Sequence, residues 1–249
     1  MTILDYVTKE LKNIKEKPPK ERWAYFLDYY KWHALALLLV IVLLIQGVVS
    51  LTTQKDTALS GIILNCKLGI DDTSFLQNFY DYAKIDANKE SAAFYTDLTF
   101  SNGQSQHDTS TFQRIMAGIA TKETDFIAGK PEHFRICAYN SNNIFMDLRQ
   151  FLDEATLAQL SEKFYYIDGD IIEQLNAPVG SEVDISALQY PDPLKPELMK
   201  DPIPVGINIS NCEAFQSAYY LSQTTLYIGV VANTTRPDTV RLLINYLIT

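Results

Sequence analysis

The stretch 58-ALSGIILNC-66, followed by 72-DTSFLQNFYDYAKI-85, decides the fold. The first is an apolar run of strand length. The second places Phe75, Leu76, Phe79, Tyr82 and Ala83 on one helical face, with Asp72 as the candidate N-cap. The alternation continues: "AAFYTDLTF" (92–100) reads as a strand ended by the turn "SNGQ" (101–104). "DTSTFQRIMAGIATKE" (108–123) starts with capping residues and spaces Phe112, Ile115, Met116 and Ile119 helically, and "DFIAG" (125–129) is a third strand. Strand, helix, strand, helix, strand is the order of βαβ units. An α/β domain with a mainly parallel open sheet flanked by helices is therefore expected, with any functional site past the C-terminal strand ends.

Downstream the pattern loosens and then returns. "PEHFRICAYN" (131–140) reads as a short helix, "NIFMDLRQFL" (143–152) as an extended piece and "DEATLAQLSEKF" (153–164) as a helix. Ala177 to Pro204, with Pro178, Pro191, Pro193, Pro196, Pro202 and Pro204, reads as a long surface excursion or hinge. A strand "IPVGINIS" (203–210), a helix "NCEAFQSAYYL" (211–221), a buried strand "TLYIGVVAN" (225–233) and a closing helix "RPDTVRLLINYLI" (236–248), with Pro237 in its first turn, complete the chain.

Ahead of this domain stands "ALALLLVIVLLIQGVVSL" (34–51), interrupted only by Gln46 and Ser50 as clearly polar residues. A run of about 18 to 20 apolar residues matches the thickness of a bilayer's hydrocarbon, whereas a core helix is shorter and amphipathic. Trp23, Tyr25, Tyr29, Tyr30 and Trp32 crowd its approach as an interfacial belt would, and Lys31 can snorkel beside them. Met1 to His33 carries seven basic and five acidic residues, a charge of +2; the remainder, with 14 basic and 25 acidic, is −11, and the two sum to the −9 of the whole chain. Positive charge on the near side places the N-terminus in the cytoplasm. A cleaved signal peptide fits less well, because its charged region would exceed thirty residues and no A-x-A-like site follows. The expected organisation is a cytoplasmic amphipathic or juxtamembrane segment (1–32), a transmembrane signal anchor (33–53) and an extracytoplasmic α/β domain (54–249). In the first segment, Ile3, Val7, Leu11 and Ile14 fall on one helical face before "EKPPKER" breaks it.

The residue types of catalysis are scattered. His33, His107 and His133 lack metal-ligand spacing and read as solvated surface residues, and there is no nucleophile elbow, phosphate-binding loop or dinucleotide fingerprint. Asp86, Asn88, Glu90 and Asp97 have the oxygen spacing of a calcium loop, yet Ser91 replaces the turn glycine and Phe94 a ligand, so a helix C-terminus leading to a strand is expected. Asp71, Asp72, Asp168 and Asp170 read as helix caps and turn formers. No metal, cofactor or catalytic residue is assigned. Cys66, Cys137 and Cys212 are odd in number and widely spaced, which indicates neither a disulfide framework nor a zinc site, though one bridge stays open. The acidic balance argues against a nucleic-acid partner.

The run "TDFIAGKPEHF…IFMDLRQFL", followed by "TLYIGVVANTTRPDTVRLLINYL", resembles the extracytoplasmic solute-binding proteins of the type II periplasmic-binding-protein fold, in particular small membrane-anchored forms of Gram-positive bacteria. Asp125, Phe134, Asp147 with Leu148, Gly229 and Asn233 carry the resemblance, which covers about half of the ectodomain. It implies a sheet domain with a ligand cleft, and the forty or so residues between Phe164 and Pro204 leave room only for a reduced second lobe. Two functional classes follow. In one, polar groups at strand ends (Ser101, Asn102, Gly129, Asn208, Asn211 and Asn233) converge on a cleft and capture a small solute near the membrane for a transporter, without catalysis. In the other, an aromatic-rich surface including Tyr219 and Tyr220 docks an envelope protein, as a sensory or interaction ectodomain.

Overall fold

A computed structural model describes residues 12, 18–19, 21, 24, 31–53, 55–66, 72–101, 105–140, 143–178, 184, 187–219, 221 and 224–248, with the side chains of the first helix described to Gly47. The amphipathic pattern at 3–14, the aromatic residues at 23–30, Asp71, the turn residues 102–104 and Tyr220 lie outside them. The chain forms two units, Met1–Gln54 and Lys55–Thr249.

The first unit contains one uninterrupted helix, α1 (Lys31–Thr53), of 23 residues. At 1.5 Å per residue it is about 34 Å long. Its large apolar side chains between Trp32 and Ile45 are 44–69% exposed. Because successive residues are about 100° apart around a helix axis, Leu37 through Ile45 present apolar surface in every direction. Among the described residues, no helix is long and apolar enough to cross a membrane.

The second unit is a six-stranded mixed sheet flanked by helices, with strand order β2-β1-β3-β6-β5-β4. Its elements in chain order are β1 (Asp56–Ile63), α2 (Thr73–Ala83), β2 (Glu90–Tyr95), α3 (Gln106–Ala120), β3 (Phe126–Gly129), α4 (Pro131–Ala138), α5 (Leu148–Phe151), α6 (Glu154–Leu160), β4 (Phe164–Asp168), α7 (Gly169–Leu175), β5 (Pro202–Asn208), α8 (Glu213–Ala218), β6 (Tyr227–Val230) and α9 (Pro237–Ile248). The first half follows the βαβ expectation: β2 and β3 both pair with β1 in parallel. The second half corrects it. β6 runs antiparallel to β3 and β5, and β4 antiparallel to β5.

The physical reason for the reversal lies in the connections. A parallel crossover needs a helix long enough to carry the chain back to the starting end of the sheet. Between β5 and β6 the helix α8 has six residues. That is about 9 Å of rise against about 23 Å for the seven residues of β5, so the chain re-enters the sheet at the end it left. The strand β4, "FYYID", was not foreseen, because it follows α6 and a 3-10 turn without a loop signal. The proline-rich excursion lies along its outer edge, where the Tyr166 N–H donates to the Pro193 carbonyl at 2.9 Å. A strand edge covered in this way is closed to further pairing.

Each sheet face carries its own core. One groups Leu59, Ile63, Phe75, Phe79, Phe126, Phe215, Tyr219, Val240 and Leu243; the other groups Ile62, Ile115, Ile127, Phe134, Phe145, Tyr165, Val205 and Tyr227. The expectation of Tyr219 on an interaction surface is overturned: it is wholly buried, and its hydroxyl donates to Asp72 Oδ2 at 2.8 Å. Asp72 sits at the N-cap of α2 without bonding that helix through its side chain. The cap of the next helix lies at Ser105, ahead of the expected Asp108. Ser105 and Asp108 form a complete capping box on α3, and Asp147, Asp153 and Asp168 cap α5, α6 and α7. The calcium-like spacing resolves as a turn in which Asp86 Oδ1 accepts from the Asn88 N–H, with Glu90 opening β2.

Candidate functional site

A groove of about 510 Å³ lies over the outer half of the sheet, lined by Phe145, Ile167, Ile172, Ile203 and Val205 and by Asp147, Gln150, Glu173 and Asp201. A bulge in β5 shapes its floor. Tyr165 pairs with Gly206 and Tyr166 with Pro204, so Val205 is the extra residue. A bulge shifts the in/out alternation of a strand by one. Ile203 and Val205 therefore face the same layer as Phe134 and Tyr165, although Ile207 faces the opposite one.

The rim is held by a buried carboxylate. Asp168, 6% exposed, accepts the backbone N–H groups of Asp170, Lys200 and Asp201 at 3.0–3.2 Å. Its own N–H donates to the Tyr139 hydroxyl, and the Gly169 N–H donates to the Asp201 carbonyl at 2.8 Å. A Cβ on Gly169 would lie 2.2 Å from Asp201 Oδ2, so a side chain there would require the Asp201 carboxylate to move. On the far rim Asp147 binds Arg149 through both oxygens, with Nε at 3.0 Å from each and Nη2 at 2.7 Å from Oδ2. That pairing raises the Arg149 pKa, and the field of Asp201 adds to it.

Behind the groove, the rings of Phe134 and Phe145 stack at 4.7 Å and 9°. They lie against two glycines: a Cβ on Gly229 would be 2.7 Å from Phe145 and 2.9 Å from Phe134, and one on Gly206 would be 2.8 Å from Phe134. A second buried cluster joins three chain segments at the start of the interior strand β3. Asp125, fully buried, accepts from the Ser60 N–H at 2.7 Å, the Thr234 hydroxyl at 2.6 Å and Arg236 Nε at 2.7 Å.

The residues expected to form a strand-end cleft are distributed as follows. Gly129 and Asn208 end neighbouring tracks of the sheet, both paired with Tyr227. Asn208 Oδ1 accepts from the backbone N–H and hydroxyl of Ser210. With exposed Asn211 it lines a shallow depression of about 380 Å³ that also holds Lys163, Cys212 and Tyr246 and includes neither Ser101 nor Gly129. Ser101 is exposed and donates its N–H to Asp108 Oδ1. Asn233 is at the other end of the sheet, its Nδ2 donating to the Ile119 carbonyl at 2.8 Å. Asn102 lies outside the described residues. The six are thus not brought to one cleft among the described residues, and the groove lies at the starting ends of the parallel strands rather than past their C-terminal ends. Glu173 and Asp201 were missed. The signal for them was the cap "DGD" at 168–170, which marks a strand end and a helix start.

Chemically the groove suits binding. Among the described residues its lining contains no Ser, Cys, His or Lys side chain, so it presents carboxylates and amides over an apolar floor. The expectation of a solvated His133 also fails: its ring is largely buried, Nδ1 has no hydrogen-bond partner, and burial lowers its pKa. Among the described residues no group of three His, Cys, Asp or Glu side chains could hold a metal ion, and all three cysteines are free. No family model, curated protein or solved structure matches this chain.

Proposed function

We propose that this chain is a single-pass membrane protein whose Lys55–Thr249 domain lies outside the cytoplasm and binds a small solute without transforming it, in the manner of a reduced solute-binding protein. The observation that carries the reading is α1. A helix apolar on every side belongs in the interior of a large protein or in lipid. Here the apolar side chains from Leu35 to Ile45 are exposed, and the sequence continues the same character to Leu51. The charge step from +2 before the helix to −11 after it supports an inside N-terminus.

Solute capture rests on the groove, whose volume falls in the ~300–1,000 Å³ span of ligand pockets. The partner-docking alternative is weakened by the burial of Tyr219. A thermal-shift screen of the full chain in nanodiscs against classes of charged and neutral solutes tests the reading. A ligand at 100 times its dissociation constant adds about 2.7 kcal/mol of stability. One class of solute should raise the unfolding temperature. If no solute does so, and one stoichiometric envelope protein co-purifies from membranes, the docking reading takes its place.

A further inference from the structure

Resting on the solute-binding reading, we infer that the groove between α7 and the Asn143–Asp147 segment binds an organic cation: an ammonium or guanidinium group carried on a small apolar body. The shape of the site comes first. A floor of Phe145, Ile167, Ile203 and Val205 offers apolar contact to a body of modest size. The sign of charge follows from the rim. Asp147, Glu173 and Asp201 line it, and among the described residues the lining itself holds no basic side chain, Arg149 being bonded to Asp147.

Of these carboxylates, Asp147 is already matched by Arg149, whereas Glu173 and Asp201 have no ion-pair partner among the described residues. Nearby Asp170, outside the groove lining, is matched by Lys200 at 2.9 Å. Among the described residues, Glu173 and Asp201 are therefore the lining acids left without an ion pair. The backbone that carries Asp201 is moreover fixed, its N–H donating to the Asp168 carboxylate at 3.0 Å. Holding a charged group before the ligand arrives removes an ordering cost from binding.

A metal ion is the wrong occupant. It needs several ligands converging on one point, and no such group of three exists among the described residues. An amine or guanidinium needs only one or two carboxylates at hydrogen-bond range, and its apolar remainder can cover the floor. The −11 charge of the domain adds a favourable long-range field for cations.

The test is calorimetric titration of the full chain in nanodiscs with arginine, spermidine and tyramine, against glutamate, phosphate and glucose as counter-probes. At least one amine should bind, more weakly as salt rises. Asp201→Asn and Glu173→Gln should each lower its affinity at least fivefold, while Asp170→Asn leaves it unchanged. Both targeted side chains are exposed, so neither variant removes a core contact. Binding of a counter-probe without any amine overturns the cation assignment and leaves the solute-binding reading standing. Amine binding that ignores both substitutions overturns the site. Failure of all six probes overturns this assignment, and the broader stability screen then decides the fate of the solute reading separately.

Discussion

At the scale of single residues, close packing decides which positions tolerate change. Gly229 lets two aromatic rings rest on the strand backbone, and a methyl group would enter space already occupied by Phe145 and Phe134. Overpacking of this kind costs about 1–3 kcal/mol. Gly229→Ala should lower the unfolding free energy by that amount, seen as a lower urea midpoint with an unchanged slope; an unaltered midpoint would show that the stack can move aside. The thiols give a second prediction. Burial raises the Cys66 and Cys137 pKa values from 9.0 to about 12. Since the folded value exceeds the unfolded one, the neutral thiols contribute their full stability below pH 9 and lose it as pH rises from 9 toward 12. Buried Tyr139 and Tyr227, also raised by burial, act in the same direction. Unfolding free energy should fall above pH 9. Maleimide should label half-buried Cys212 in the native protein well before Cys137, and equal rates would contradict the burial described.

At the scale of elements, the Asp125 cluster ties the turn before α9 to β1 and to the start of β3. Asp125 receives a backbone N–H from one strand, a hydroxyl from the turn and a guanidinium from the first turn's approach. Arg236 Nη2 also donates to the Lys122 carbonyl. Removing one member of a buried pair strands the other, at a cost of about 3–5 kcal/mol. Asp125→Ala should therefore cost about 3 kcal/mol or more in chemical denaturation, a large part of the 5–15 kcal/mol typical of a domain. A loss below about 1 kcal/mol would mean that water or rearrangement satisfies Arg236. The helix this cluster positions carries Val240, Leu243, Ile244 and Leu247 into the core, so the loss should propagate to α9 rather than stay local.

At the scale of the molecule, α1 and the following domain make different demands on their surroundings. The domain buries its apolar side chains in two cores, while α1 exposes its own. On the proposed single-pass reading, lipid would cover the helix and remove that contrast. Protease added to intact spheroplasts should digest the domain and spare residues 1–32, while inverted vesicles should give the reverse pattern. A domain protected in spheroplasts would place the N-terminus outside and overturn the orientation drawn from charge.

The sequence by itself determined what local periodicity and local chemistry control. The apolar length of α1 and the β1-α2-β2-α3-β3 order are readable in short windows, because each depends on neighbours along the chain. Tertiary structure decided everything that depends on which segments meet. The antiparallel entry of β4 and β6 follows from connection length and packing, the inward turn of Tyr219 from its reach to Asp72, and the groove from a one-residue bulge in β5. Asn208 and Asn233 are both polar residues after a strand, indistinguishable in sequence. They end at opposite ends of the sheet because their strands run in opposite directions, and strand direction is a property of the pairing, not of either segment alone.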